Sequence, residues 1–305
     1  MSRARHHFVH QMLSKRFKGS QGLWFFDSRR PCRGVHVRNP DTIFWERGLN
    51  TLVHDDGKED DGAEVVFSSL ESSISKLLDF VVDAIRRGDL PTLNGNALAA
   101  LATFTFQLAK RPIEVRRNRL GIERIRVEIE GSIAKFENRV GRAITDDELA
   151  ALRDEEWLER VAQFTRVFVS LDPGKHVLPA LVNDAGLFYI RAPHAKSFVL
   201  GSNPVLRKGG VIGSRDAQII WPAAPDVAIC FGDPSFHNTV RDIAADQLRR
   251  FNSDVWLQSD ALASDSRQLI ESLAKANLSA SRPGLPTEAF DLSDKRVGCV
   301  RSRRD

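Results

Sequence analysis

The spacing of the apolar residues changes near Pro173-Gly174, and this change constrains the fold more than any other feature of the chain. Before that point, apolar residues recur every three or four positions, which is typical of one face of a helix. They predict the following helices: 66–85, 97–108, 122–140 and 145–168. After that point, short apolar runs lie between Gly, Pro and Asn residues, a pattern typical of strands. They predict the following strands: 176–181, 187–190, 197–200, 217–221 and 227–231.

Other elements are predicted towards the two ends of the chain. Residues 23–28 and 33–38 have the composition of two short strands joined by a turn-like linker. Residues 238–251 return to the helical spacing, residues 255–257 fit one more strand, and residues 264–277 fit a short helix. The order is therefore strands, helices, strands and helix.

This order predicts an α+β fold. We expect an N-terminal β-hairpin, a central helical layer and a C-terminal, largely antiparallel sheet with a closing helix. The strands lie too close together in sequence for regular crossover helices. A length of 305 residues fits one large domain, which we place over residues 1–280. Residues 281–305 are polar, carry Pro and Gly, and are expected to form a flexible basic tail.

Composition predicts a soluble cytoplasmic protein. Charged residues make up 28% of the chain and hydrophobic residues 42%, and no run approaches the roughly 20 apolar residues of a membrane span. The basic N-terminus lacks the apolar core of a signal peptide. Cys32, Cys230 and Cys299 are odd in number and far apart, so they predict neither a disulfide framework nor a metal site. The sequence identifies no cofactor and leaves the oligomeric state open.

Charge is distributed unevenly along the chain. Residues 1–50 hold ten Lys or Arg against three Asp or Glu, and residues 110–126 hold seven against two. Basic blocks of this kind attract phosphate groups, so the partners they suggest are nucleic acid or a phosphorylated small molecule. The alternative is that these blocks are solvated faces, or that they pair with the acidic residues of 55–64.

Histidines lie among apolar residues in segment 7–17. A tail that stays in water would not carry so many apolar side chains, so we expect this segment to fold into the body with at least one histidine inward. His7 is the preferred candidate for a chemical role, and His10 follows it three residues later. The alternative is a hydrogen-bonded structural histidine.

Two charged side chains fall on or beside apolar helix faces. Glu71 lies four residues after Phe67, and Arg111 lies three residues after Leu108, with Gln107 one turn before it. Charged groups seldom lie against a core unless they are paired, so we expect Glu71 and Arg111 to meet across two packed helices. A structural ion pair is one interpretation, and a pocket shared with a histidine is the other.

The third polar feature follows a predicted strand. Phe198-Val199-Leu200 runs into the turn Gly201-Ser202-Asn203-Pro204, and polar groups at such ends often line binding sites. Ser202 and Asn203, with Gln107, are therefore candidate substrate-binding residues, although an ordinary turn is an alternative. The phosphate-loop, dinucleotide, zinc-protease and α/β-hydrolase motifs are missing from the sequence.

Six segments, taken in order, resemble a mostly bacterial family known as domain of unknown function 4238 (DUF4238). They are His7-Phe8-Val9-His10-Gln11, Trp24-Phe25-Phe26-Asp27, Leu70-Glu71-Ser72-Ser73-Ile74, 107–112, 198–205 and 221–225. The resemblance covers roughly residues 5–258. It implies that the family's polar signature positions are His7, Glu71, Arg111 and the Ser202-Asn203-Pro204 turn. It implies no activity.

This chain departs from the family pattern at three places. His10 replaces a proline, Ser202 replaces the usual aspartate, and Ala223-Ala224 replaces Leu-Ser. If that aspartate binds a metal or acts as a base, its loss would weaken or abolish activity in this member.

Two functions from different classes are compatible with these residues. The first is a hydrolase acting on a phosphate-containing or nucleic-acid substrate, with His7 as acid, base or metal ligand, Glu71 as base or ligand, and Arg111 as anion clamp. The second is a non-catalytic nucleic-acid-binding or regulatory protein in a bacterial defence or mobile-element context. In the second case the same residues would be scaffold.

Overall fold

The architecture was obtained from a computed structural model, which describes residues 5–54, 56–112, 121–172, 174–210, 217–278 and 298–300. The α-helices are α1 Gln11–Arg16, α2 Gly62–Arg87, α3 Gly95–Lys110, α4 Ile122–Val140, α5 Asp146–Leu152, α6 Glu155–Leu171, α7 Ala245–Leu257 and α8 Arg267–Leu278. The strands are β1 Arg5–His7, β2 Leu23–Asp27, β3 His36–Arg38, β4 Trp45–Arg47, β5 Leu52–Val53, β6 Glu59–Asp60, β7 Gly186–Arg191, β8 Leu200–Gly201, β9 Leu206–Lys208, β10 Gln218–Ala224, β11 Val227–Gly232, β12 Val240–Asp242, β13 Ala261–Ser264 and β14 Gly298–Val300. The predicted α+β class is confirmed.

The larger sheet has six strands in the order β14-β12-β7-β11-β10-β9. Its neighbours are antiparallel except for β12 and β7, which run parallel. Every residue of β11 is buried, which is why this strand is a continuous apolar run rather than an alternating one. The predicted, largely antiparallel C-terminal sheet is therefore confirmed.

The predicted N-terminal hairpin is part of a second sheet. Strands β2 and β3 pair antiparallel, and β13 and β8 from the C-terminal half extend the sheet in the order β3-β2-β13-β8. The first and last thirds of the chain are thus hydrogen-bonded to each other. Two further antiparallel pairs, β1 with β4 and β5 with β6, form separate two-stranded sheets.

Helices α2 and α3 form the central layer predicted from their apolar spacing. Helix α2 ends at Gly88, whose positive φ of 84° closes the helix with backbone bonds back to Ala84 and Ile85. Helix α3 begins at Asn94, whose side chain accepts a hydrogen bond from the backbone of Ala97. The indole of Trp221 on β10 donates to Thr105 on α3, which fixes α3 against the larger sheet.

Helices α4, α5 and α6 form a peripheral unit. The capping box of Thr145 and Glu148 is present, as predicted. The single helix predicted over 145–168 is wrong in one respect: it is broken at Arg153-Asp154, because Asp154 caps a new helix through the backbone of Trp157. The apolar stripe of α4 is not in the core. It lines an open groove of about 670 Å³ with side chains from α5 and α6.

Two predicted strands and one predicted helix are wrong. Residues 176–181 form a turn that leads into a helical turn at Ala180–Asp184, since the backbone of Ala185 bonds to Ala180. Residues 238–251 are not one helix, because Val240–Asp242 joins the larger sheet and α7 begins at Ala245. Residues 255–257 are the end of α7 rather than a strand.

One hydrophobic core joins the hairpin, α1, α2, α3, both sheets, α7 and α8. The domain boundary predicted at residue 280 lies outside the described residues, as does most of the predicted tail of 281–305. Within that tail, Gly298–Val300 pairs with Val240–Asp242. Among the helices that the structure describes, none combines the length and apolar character required to cross a bilayer.

We expect two glycine substitutions to shift stability in opposite directions. A Cβ at Gly131, in the interior of α4, meets nothing within 4 Å, so Gly131→Ala should raise the free energy of unfolding by about 0.5–1 kcal/mol. A Cβ at Gly186 would lie 2.5 Å from the carbonyl oxygen of Asp233, so Gly186→Ala should lower it by about 1–3 kcal/mol. Urea unfolding measures both values, and equal effects would contradict the placement of these two elements.

Candidate functional site

The N-terminal segment folds into the body, as the sequence predicted, and its helix α1 is fixed against α2. Arg16 on α1 forms an ion pair with Asp79, with 2.6 Å between Nη2 and Oδ1, and donates to the carbonyl of Ser75 at 2.8 Å. The backbone N–H of Met12 donates to Oε1 of Glu71 at 2.7 Å. Glu71 thus satisfies a donor in the first turn of α1 from a neighbouring helix. Together these contacts hold α1 against α2.

Arg111 is the most deeply buried charged group of this region, with 1% of its surface exposed. Its Nη2 donates to the backbone carbonyl of His7, and its guanidinium carbon lies 4.2 Å from the centre of the Phe67 ring. Burial lowers the pKa of Arg111 to about 10, while the negative charges of Glu64 and Glu71 oppose that effect. Arg111 therefore stays protonated at neutral pH.

His10 lies between Arg111 and Glu71. Nη1 of Arg111 is 3.1 Å from Nδ1 and 3.0 Å from Nε2 of the His10 ring, which is 1% exposed and packs on Phe104. A guanidinium only donates hydrogen bonds, so an unprotonated ring nitrogen must accept. Burial and the charge of Arg111 lower the pKa of His10 to about 4, and Glu71 only partly offsets them. The ring is therefore neutral at pH 7.

Glu71 completes the cluster and is 28% exposed. Its Oε2 lies 3.5 Å from Nδ1 of His10. Burial alone would raise the pKa of Glu71, but the interactions with His10, the Met12 N–H and Arg111 outweigh burial and lower it. The expected direct pair between Glu71 and Arg111 is not among the ion pairs of the described residues, because the His10 ring separates the two groups.

His7 has a different environment from His10. It is half-buried on β1, and its Nδ1 lies 3.1 Å from the carbonyl oxygen of Ile43. A carbonyl oxygen only accepts, so Nδ1 carries the proton and Nε2 holds the lone pair. Burial lowers the pKa of His7, and this effect is larger than the opposing effects of the Ile43 carbonyl, Glu71 and Glu64. His7 is thus a neutral imidazole whose Nε2 makes no hydrogen bond among the described residues.

The sequence analysis missed His6 and Glu64. His6 is 1% exposed; its Nδ1 accepts the backbone N–H of Asn50 at 2.9 Å, and its Nε2 lies 3.6 Å from Asp61. The side chain of Asn50 donates to Glu64 at 2.7 Å. The alternation of side chains along β1, which places His6 inside and His7 at the edge, would have identified His6.

Gln107, Ser202 and Asn203 contact other parts of the chain. Gln107 Nε2 donates to the carbonyl of Asp172 at 3.1 Å, which ties α3 to the end of α6. The Ser202 hydroxyl accepts the backbone N–H groups of Asp260 at 2.9 Å and Ala261 at 3.2 Å. The backbone N–H of Asn203 donates to Ser259, and its carbonyl accepts from Gln258. These bonds join Ser202 and Asn203 to residues 258–261 rather than to the Arg111 cluster.

A cleft of about 470 Å³ lies between the β2–β3 hairpin and β4, and Phe8, the residue after His7, is among its lining residues. Ile43, whose carbonyl holds the His7 ring, is one of its lining residues. Most of the residues that line the cleft are aromatic or basic, and the others are Asp27, Thr42, Ile43 and Glu46. The aromatic ones are Phe8, Phe25, Phe44 and Trp45, and the basic ones are Arg29, Arg30, Arg33, Arg38 and His36.

Phe44 in this cleft has a strained backbone, with a φ of 52°. A left-handed conformation in a bulky residue costs about 1–3 kcal/mol and persists where surrounding contacts enforce it. Here the carbonyl of Phe44 accepts the backbone N–H of Phe8 at 2.9 Å, and its ring packs edge-on against Phe8 and Phe25. The strain therefore holds an aromatic ring in the cleft wall.

No group of three or more His, Cys, Asp or Glu side chains with the spacing of a metal site is found among the described residues.

A model of the family described as "Protein of unknown function (DUF4238)" matches residues 5–272 of the chain. This range contains the Arg111 cluster, His7 and the cleft. No curated protein and no solved structure matches the chain.

We expect His10 to make stability depend on pH between 7.5 and 4.5. The unfolded ring takes up a proton near pH 6.5 and the folded ring only near pH 4, so the unfolded state binds more protons in this range and stability falls as the pH falls. The contribution of His10 is roughly 2 to 3 kcal/mol. Urea unfolding of wild type and His10→Gln should show a smaller loss in the variant.

The control is His194→Gln, which changes an exposed histidine and should retain the wild-type pH dependence. Equal losses of stability in wild type and His10→Gln would contradict the assignment of a buried, neutral His10.

Proposed function

The chain belongs to the DUF4238 family, and we propose that it is a hydrolase of phosphate-containing substrates in which His7 is the general base. The observation that supports this proposal most directly is the state of the His7 ring. Nδ1 is engaged by a backbone carbonyl, Nε2 carries a lone pair, and the lowered pKa keeps the ring neutral at pH 7. A neutral, oriented and half-buried imidazole is what general-base catalysis requires.

The proposed reaction needs a water molecule, a phosphoester and a positive environment. Nε2 of His7 takes a proton from the water as the water oxygen bonds to phosphorus, and the bond from phosphorus to the leaving oxygen breaks. The proton then passes from Nε2 to the leaving oxygen. The arginines of the neighbouring cleft stabilise the negative charge that develops on the phosphoryl oxygens.

Glu71 and Arg111 act as positioning residues in this proposal. Arg111 donates to the carbonyl of His7, and Glu71 accepts the N–H of Met12, so both fix the backbone that carries the base. Arg111 is too deeply buried to clamp a substrate anion directly. We assign no substrate contact to Gln107, Ser202 or Asn203, since their described hydrogen bonds hold protein groups.

A second candidate function is non-catalytic binding of nucleic acid, in a regulatory role. It is favoured by the exposed arginines of the cleft and by the use of Arg111 and Glu71 as structural supports. Phosphate contacts made by arginines bind nucleic acid without catalysis and weaken steeply with salt. For both candidates we place the protein in the cytoplasm, because its three cysteines are too few and too scattered for a disulfide framework.

The test is turnover of a panel of phosphate monoesters, phosphodiesters and single- and double-stranded nucleic acids, with and without added Mg²⁺. For a substrate that is hydrolysed, His7→Gln should lower kcat/KM by about 10²–10⁴. Wild-type kcat/KM should rise with pH and reach a plateau once the His7 ring is deprotonated, and burial shifts this rise to lower pH than for an ordinary histidine. The expected readout is product release measured over pH 4.5–8.

The matched control is again His194→Gln, which should leave kcat/KM unchanged. Urea unfolding of His7→Gln establishes that the variant is folded. Undiminished turnover by a folded His7→Gln would contradict the role of His7. Salt-sensitive binding of nucleic acid with no turnover of the panel would overturn the hydrolase proposal in favour of the second candidate.

A further inference from the structure

We propose that the cleft between the β2–β3 hairpin and β4 is a nucleotide site, which accepts one phosphorylated nucleoside or the end of a single-stranded nucleic acid. This inference rests on the proposed function and gives its substrate class. The cleft volume of about 470 Å³ lies within the range of about 300–1,000 Å³ that small-molecule sites have. The aromatic and basic side chains of the cleft match the two parts of a nucleotide.

The aromatic side matches a nucleobase. Phe8, Phe25 and Phe44 pack edge to face, with ring centres 6.1 Å apart for Phe8 and Phe44 and 5.9 Å apart for Phe25 and Phe44. All three are at most 9% exposed, so they form a rigid wall rather than mobile surface groups. A planar base placed against such a wall buries apolar area and gains ring–ring contact.

Trp45 extends this aromatic wall to the rim of the cleft. It is half-buried on β4, and the guanidinium of Arg5 lies 4.6 Å from its ring centre. The wall therefore continues from a closed floor to an edge that solvent reaches, which suits a base that enters from solution.

The basic side matches a phosphate. Four arginines line the cleft against two carboxylates, Asp27 and Glu46, which leaves a formal charge of +2 (four minus two). Asp27 is engaged by Arg29 through two bonds of 3.0 and 3.1 Å. The side chains of Arg30 and Arg33 are exposed and make no hydrogen bond or ion pair to other residues that the structure describes. Guanidinium groups bind phosphate oxygens in a bidentate manner.

His36 lies at the junction of the two sides. Its ring packs edge-on against Phe25, and its Nδ1 lies 3.1 Å from the carbonyl oxygen of Gly34. As for His7, this bond places the proton on Nδ1 and leaves Nε2 as an acceptor in the neutral ring. An acceptor beside an aromatic wall is suited to a ribose hydroxyl or a base N–H.

The position of the cleft relative to His7 connects the site to the proposed reaction. The carbonyl of Ile43 holds the His7 ring, while the side chains of Ile43, Phe44 and Trp45 line the cleft. One short segment thus carries the aromatic wall proposed to bind the nucleobase and also orients His7, the proposed general base. The aromatic wall of the cleft and the His7 ring are therefore neighbours in the structure.

The test is calorimetric titration of the full chain with four probes: UMP, uridine, ribose 5-phosphate and inorganic phosphate. UMP should bind at least tenfold more tightly than each of the other three, because the others lack the phosphate or the base. Arg30→Gln/Arg33→Gln should raise the Kd for UMP by about tenfold or more. Arg249→Gln/Arg250→Gln, on the exposed face of α7, removes the same charge and should leave the Kd unchanged.

A 5′-phosphorylated oligo(dT) separates the two sources of the ligand. Binding at least as tight as UMP, with a salt slope that falls by about 1.4 in Arg30→Gln/Arg33→Gln, assigns the cleft to a nucleic-acid end. Binding of UMP without the oligonucleotide assigns it to a free nucleotide. Both results support the site.

Two results would overturn the inference. One is equal binding of UMP and ribose 5-phosphate, which would remove the base from recognition. The other is an unchanged Kd in Arg30→Gln/Arg33→Gln. Titration of His7→Gln distinguishes this site from the proposed hydrolysis. If His7→Gln binds UMP normally and the wild type turns over none of the substrate panel, the site is supported and the hydrolase proposal is wrong. Turnover that depends on His7 but not on Arg30 and Arg33 would support the hydrolase and contradict the nucleotide site.

Discussion

The buried guanidinium of Arg111 is the constraint on which the candidate site depends. A charge that is withdrawn from water destabilises the fold unless hydrogen bonds and nearby opposite charges compensate. Three groups contact the guanidinium: the His7 carbonyl, the His10 ring and the Phe67 ring. The negative charges of Glu64 and Glu71 act at longer range. The N-terminal segment must therefore lie across the junction of α2 and α3. That placement fixes β1, and through β1 it fixes the His7 ring.

The protonation state of His10 follows from the same charge. A protonated imidazole at 3.0 Å from a guanidinium would be repelled, and it would also lose the lone pair that accepts the bond. Glu71, whose Oε2 lies 3.5 Å from Nδ1 of His10, only partly offsets burial and the charge of Arg111. The DUF4238 opening that this chain resembles has proline at the position of His10, and a proline ring cannot accept a hydrogen bond. In this chain an imidazole at that position contacts Nη1 of Arg111.

The sequence predicted those features that short-range rules determine. Apolar spacing gave α2, α3 and α4, and the Thr145–Glu148 box gave the start of α5. The same spacing could not distinguish a stripe that faces the core from the α4 stripe that lines an open groove, because burial depends on where other elements pack. At the site, the apolar frames of Glu71 and Arg111 identified both residues. Their separation by His10 could not be predicted, since it depends on contacts between residues up to 101 positions apart. The cleft could not be predicted either, because three of its four arginines come from a hairpin linker whose sequence is that of an exposed turn.

The segment Ile43-Phe44-Trp45 determines how binding and catalysis would be coupled. The strained φ of Phe44 sets the direction of its ring, while the adjacent Ile43 carbonyl sets the direction of the His7 imidazole. Ile43 and Phe44 are consecutive residues, so covalent geometry rather than a mobile loop sets the distance between the aromatic wall and the His7 ring. Such preorganisation lowers the entropic cost of aligning a bound ester with its base. It also limits the ligands that fit, since a phosphoester that does not contact the wall would not be held in a fixed position relative to Nε2.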